Sequence, residues 1–214
     1  MAFLQAHQQT LRDAQSRKGQ PPKERKSLDE LILIHKKGRI ANARPMPADG
    51  FKILSAFLCP PYAPSVRTLS SLKKTMVKDL LLETHHRGFY VLLRTVTPAF
   101  SMTGILAIVE DGNGDGVILN LYYHDKSIPA QDLLQEGQVL IVKEPYLNTT
   151  SDGNLGIRVD HLSDAIFLHV FDERVPEKRR HSSMADESVA STWRTRGNNF
   201  LFHLLFYQEE SITG

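Results

Sequence analysis

The sequence predicts an α+β protein: a five-stranded antiparallel β-barrel with helices before it and one helix after it. Three observations predict it. Ser27-Leu28-Asp29-Glu30 has the form of a helix-capping box, with a Ser at the N-cap and a Glu at N3. From residue 87 onward the apolar runs become rich in β-branched and aromatic residues. Asp111-Gly112-Asn113-Gly114-Asp115-Gly116 separates two such runs with residues that tolerate positive φ, the signature of a hairpin turn.

The elements follow in chain order. Phe3, Leu4, His7, Leu11 and Ala14 fall near helical spacing until Gly19 and Pro21-Pro22 end the pattern. A second helix starts after Ser27 and carries Leu31, Ile32 and Ile34. Its Lys36, Lys37 and Arg39 suit the negative end of the helix dipole. Residues 42–68 hold Pro45, Pro47, Pro60, Pro61 and Pro64 and read as a linker or covering loop. Strands are expected at 89–96, 104–109, 117–123, 139–143 and 155–159, and 165–170 can form a last one. A short helical stretch at 129–135 precedes Gly137 and the fourth strand. The order strand, hairpin, short helix, strand, turn, strand is that of an OB-like barrel.

The chain therefore divides into a basic helical arm with a Pro-rich linker (1–65), the OB-like barrel (66–172), a polar linker (173–190) and a terminal helix (191–214). Its 214 residues are 41% apolar and 23% charged, enough to bury a core and too apolar for a chain disordered throughout. No run approaches the roughly 20 apolar residues that cross a bilayer, and no secretory signal stands at residues 1–13. Cys59 is the only cysteine, which excludes a disulfide framework and a multi-cysteine metal site. An intracellular protein of the cytoplasm or nucleus, neither secreted nor membrane-bound, is expected.

The formal net charge of +2 conceals a polarised chain. Residues 1–99 hold 17 basic and 7 acidic side chains, residues 100–172 hold 3 and 11, and residues 173–214 hold 6 of each. A barrel segment of net −8 argues against nucleic acid at the barrel, even with Phe89, Tyr90, Tyr122, Tyr123 and Tyr146 available for stacking. The basic arm reads first as a solvated helix; contact with a polyanion, or with the acidic barrel, which high salt would loosen, stays open.

No catalytic, cofactor-binding or metal-ligating residue is assigned. Asp111-x-Asn113-x-Asp115-Gly116 copies the opening of a calcium loop, but its twelfth position is Tyr122 and its flanks read as strands. His85 and His86 are adjacent, so they diverge in direction and do not share one ion. Cys59 has no local cue for a lowered pKa and reads as a packing residue. Asn148-Thr149-Thr150 is a glycosylation sequon without a secretory context. Ser182, behind Lys178-Arg179-Arg180, is a candidate phosphosite.

Five strings carry a family resemblance: LLLETHHRG (80–88), YVLLR (90–94), AIVED (107–111), VLIVKEPYL (139–147) and GIRVDHLSD (156–164). Together they resemble the N-terminal region of fungal proteins that combine tetratricopeptide repeats with a SET methyltransferase domain. Trp193-x-x-x-Gly197-Asn198 with Phe200, Phe206 and Tyr207 is similar to the first helix of a tetratricopeptide repeat. The resemblance implies an interaction or scaffold module. Trp193, Phe200, Phe202, Phe206 and Tyr207 form its candidate surface for a protein partner, and the hairpin tip at 111–116 is a second surface. SET enzymes resemble one another in an Asn-His-Ser-Cys type string, and residues 1–214 contain none. The expectation is a chain without enzymatic activity, with no cofactor. The alternatives are a truncated fragment of a SET-type protein lysine methyltransferase and a single-stranded nucleic-acid-binding OB-fold protein.

Overall fold

The computed structural model describes residues 9, 12–42, 61–102, 104–122, 128–150, 152–169 and 172–175. The chain divides into two units, Met1–His169 and Val170–Gly214. In the second, Arg174 pairs with Asp172 at 2.5 Å. Ser182, Trp193, Phe200, Phe202, Phe206 and Tyr207 lie outside the described residues, as do Cys59 and Tyr123.

The first unit is a mixed α+β structure. Helix α1 (Leu28–Asn42) is followed by strands β1 (Lys73–Thr75), β2 (Thr84–His85), β3 (Phe89–Thr95), β4 (Phe100–Ser101), β5 (Ile105–Glu110) and β6 (Gly116–Leu121). A four-residue helix α2 (Ala130–Leu133) then precedes β7 (Val139–Lys143), β8 (Tyr146–Thr149), β9 (Leu155–Val159) and β10 (Ala165–Leu168). Among the described residues they form a sheet of ten strands, where the sequence predicts a barrel of five and offers 165–170 as one more. The order is β10-β7-β3-β5-β6-β9-β8-β2, with β1 beside β3 and β4 beside β5. Pairing is antiparallel except β1–β3 and β6–β9, so the expected all-antiparallel arrangement is corrected at these two places. The extra strands are two to four residues long, too short for an alternating pattern to mark them.

Alternation sorts the side chains. Leu93, Ala107, Val109, Leu119, Leu121, Leu140, Leu147, Ile157 and Val159 share one face by register and are all fully buried. On the opposite face Ile108 and Ile118, directly paired, receive Leu31 of α1, with Leu28, Ile32 and Leu106 around them. Gly116 permits this approach, because a Cβ there would stand 2.9 Å from Cδ1 of Leu28. Helix α1 thus meets the sheet through aliphatic contact, which salt does not screen. Charge enters ahead of the helix, at Arg25. Its Nη2 donates to the carbonyls of Lys78 and Leu80, and Asp115, Asp79 and Asp111 act on it.

The capping box forms as read. The Ser27 N–H donates to Glu30 at 2.8 Å, and the Glu30 N–H donates to Ser27 Oγ at 3.3 Å. Ser27→Ala is expected to cost about 1 kcal/mol and to raise amide exchange in the first turn of α1, read by hydrogen exchange. No helix among the described residues is long and apolar enough to cross a membrane.

Candidate functional site

Among the described residues, two other than glycine adopt left-handed backbone, Glu83 (φ 49°) and Glu144 (φ 45°). Both are buried glutamates, and such strain persists only where the surroundings fix it. Glu83 Oε1 accepts the Thr149 N–H at 2.7 Å, and its Oε2 accepts the Tyr146 hydroxyl at 3.0 Å. Glu144 accepts the Gly88 N–H at 2.9 Å and Arg87 Nη1 at 2.6 Å, with Arg67 at 3.7 Å. Each carboxylate therefore ties a turn to a strand end.

Tyr62 lies where β2, β8 and β9 meet. Its ring contacts His85 edge-on at 4.5 Å, His161 at 5.7 Å and Tyr146 at 6.3 Å. Its hydroxyl donates to the Arg158 carbonyl at 3.3 Å and accepts the Asp160 N–H at 3.1 Å. The Tyr62 N–H donates to Asp160 Oδ2 at 3.1 Å, and the Ser65 N–H to Asp164 Oδ1 at 2.9 Å. Asp160 also accepts Arg158 Nε at 2.7 Å, and the Arg158 guanidinium stands 5.5 Å over the Tyr122 ring. The coil at 62–65 is thus fastened along the segment 158–164.

Burial sets the protonation of this cluster. It pushes the Tyr62 phenol well above its ordinary range and keeps it a hydroxyl. It raises Asp164, against the Ser65 N–H that lowers it. Burial also acts to raise Glu144, but the bonds from Arg87, Gly88 and Ser65 outweigh it and hold the carboxyl low. His85 is pushed down to about 4 by burial and by Arg87. Its Nε2 is buried with no hydrogen-bond partner. His86 is also lowered by burial; its Nε2 accepts the Leu81 N–H and its Nδ1 donates to the Pro145 carbonyl. A base held near 4 is ill-matched to proton transfer at neutral pH. The arrangement fastens a segment and leaves one unpartnered ring nitrogen.

A pH dependence follows. His85 in the unfolded chain titrates near 6.5, above its folded value, so its neutral form favours folding above that pH. Its share of stability is lost as pH falls from about 6.5 to about 4. That share is about 2 kcal/mol, allowing for the part of the ring that water reaches. Urea denaturation at pH 7 and pH 4.5 should show His85→Phe losing about 2 kcal/mol less on acidification than the parent.

The other sequence-stated positions fall as follows. Asp111 is fully buried and accepts the N–H groups of Asn113, Asp115 and Val77. Its carboxylate thus closes a turn, and the exposed tip narrows from 111–116 to 112–114. No group of three or more potential metal ligands occurs among the described residues. Of the ten described acidic residues in 100–172, five are buried: Glu110, Asp111, Glu144, Asp160 and Asp164. About half of the described acidic side chains of this segment are therefore held inside, and the other half stay at or near the surface. Tyr62, Glu83, Asp160 and Asp164 were not legible as a group, since their partners lie 63–99 residues away. Three of the five strings that carry the resemblance, 80–88, 139–147 and 156–164, meet around Tyr62.

No family model matches the chain. A Gibberella zeae protein named methyltransferase is 36% identical over 160 residues, 74% of this chain. The match spans 22% of that protein's length. A crystal structure of Schizosaccharomyces pombe Pot1pC bound to single-stranded DNA is 13% identical, with a TM-score of 0.37, covering 51% of this chain and 95% of that one. The Gibberella zeae relative corrects one expectation outright. A chain without enzymatic activity is what the sequence suggested, and kinship to a methyltransferase points to an enzyme instead. The missing Asn-His-Ser-Cys string carries little weight beside a relative of which only 22% is matched.

Proposed function

We propose that the chain serves protein methylation, as a β-domain segment of a SET-type protein lysine methyltransferase. The observation that carries this reading is the 36% identity to the Gibberella zeae methyltransferase over 160 residues. The SET type and the lysine substrate rest on the resemblance of residues 80–94, 107–111, 139–147 and 156–164.

The OB-like barrel belongs to the same proposal. β7 and β8 are separated only by Glu144 and Pro145, β7 pairs with β3, and β8 pairs with β9. Read as one strand bent at Glu144, they complete a ring β3-β5-β6-β9-β8/β7, with the β6–β9 pair parallel. In such barrels the second and third strands form the usual oligonucleotide face. Here these are β5 and β6, and α1 covers Leu106, Ile108 and Ile118 on them, which disfavours nucleic acid at that face.

Sequencing the gene's transcripts through their 3′ ends, and assaying the encoded protein for methyl transfer from S-adenosylmethionine to lysine, tests the reading. The expected result is a frame continuing into a SET domain and a product that methylates lysine. Transcripts whose frame carries no SET domain would overturn it.

A further inference from the structure

The strongest unassigned surface lies where β1, β3 and β7 run side by side. Register places Lys74 opposite Tyr90, and Tyr90 opposite Lys143, so the three side chains form one row on one face. The neighbouring pair, Lys73 opposite Phe89, projects to the other side at the end of β3. Phe89 is 39% exposed, and Lys73 and Lys74 are exposed. Beside them Arg67 and Arg87 share a single buried carboxylate, Glu144, which leaves the rim with an excess of positive charge.

We propose that this rim binds single-stranded nucleic acid, with phosphates on Lys73, Lys74 and Lys143 and bases stacked on Phe89 and Tyr90. The occupant follows from three features. Lysines flanking an aromatic ring match the alternation of phosphate and base along a single strand. The two aromatics face opposite sides of one strand end, so a flexible strand passing over the rim can reach both, whereas a stiff duplex cannot. Four of the acidic residues that argued against a polyanion, Asp111, Glu144, Asp160 and Asp164, are buried and held on backbone N–H groups and arginines, so they do not line this rim. The surface differs from the β5–β6 face under α1 and does not depend on the methyltransferase reading.

The test is fluorescence anisotropy of the full chain with labelled 15-nucleotide single strands, across salt from 50 to 200 mM. Three phosphate contacts predict a slope of log K against log salt of about −2, falling to about −0.7 in Lys73→Ala/Lys74→Ala. Phe89→Ala should weaken binding about tenfold at an unchanged melting temperature, and Phe89→Trp should bind as the parent does. The proposal is overturned by any of four results. These are no saturable binding at 50 mM salt, an unchanged slope in the double variant, equal affinity for duplex, or displacement by polyglutamate with Phe89→Ala binding like the parent. The last outcome would assign the surface to an acidic peptide.

Discussion

Asp160→Ala should lower stability by about 3–5 kcal/mol in urea denaturation, with the unfolding slope retained. Asp160 is fully buried, so its carboxylate exists there only because donors surround it. Arg158 Nε at 2.7 Å and the Tyr62 N–H at 3.1 Å both lose the Asp160 carboxylate in the variant. Arg158 is itself only 9% exposed, so water reaches its charge poorly. Removing one member of a buried pair costs more than the pair contributes, because the remaining charge keeps its desolvation cost. Asp160→Asn should recover part of the loss, since an amide oxygen can still accept one N–H. If Asp160→Ala costs below 1 kcal/mol, the fastening of 62–65 to 158–164 is not what holds that end of the sheet.

The second large effect is expected in the core. Leu119→Ala should cost about 3–4 kcal/mol by the same measurement. Leu119 is wholly buried on β6, between Ala107 on β5 and Ile157 on β9. Ala107 carries only a methyl group, too short to fill the space, and both flanking strands are held by ladders, so the cavity stays open. Leu119→Ile, which keeps the volume, should cost less than about 1.5 kcal/mol. A loss for Leu119→Ala below that of Leu119→Ile would contradict the placement of this face in the core.

Legibility followed from how local each signal was. The capping box needs four consecutive residues, and it is read and observed at the same positions. The central strands carry five or more residues of consistent character, and β3, β5, β6, β7 and β9 stand within a residue or two of where they are expected. β8 was lost because Pro145 breaks the apolar run after β7, and β1 because Lys73-Lys74-Thr75 looks like a solvated coil. The site was lost for a different reason. Its carboxylates act on backbone N–H groups, and any residue but proline can supply one, so no partner residue type marks the contact. The placement of charge was equally hidden, since counting acids along a segment does not reveal that Glu110 faces Arg94 at 2.5 Å while Asp111 closes its own turn. Kinship with a methyltransferase was legible only as an alternative, through strings of matching residues, and the lack of an Asn-His-Ser-Cys string in residues 1–214 turned the expectation away from activity.

The fastening of Tyr62 to Asp160 also has a consequence for synthesis. Its two ends are 98 residues apart in the chain. At roughly 5–20 residues per second, the ribosome delivers the second end about 5–20 s after the first. Through that interval the 62–65 coil has no acceptor, and neither has β6 its parallel neighbour β9, 38 residues downstream in register. Non-local pairings of this kind form late, so the nascent chain exposes its apolar strands longest just before residue 160 emerges. Chaperone binding to stalled nascent chains should therefore peak ahead of that point and fall beyond it.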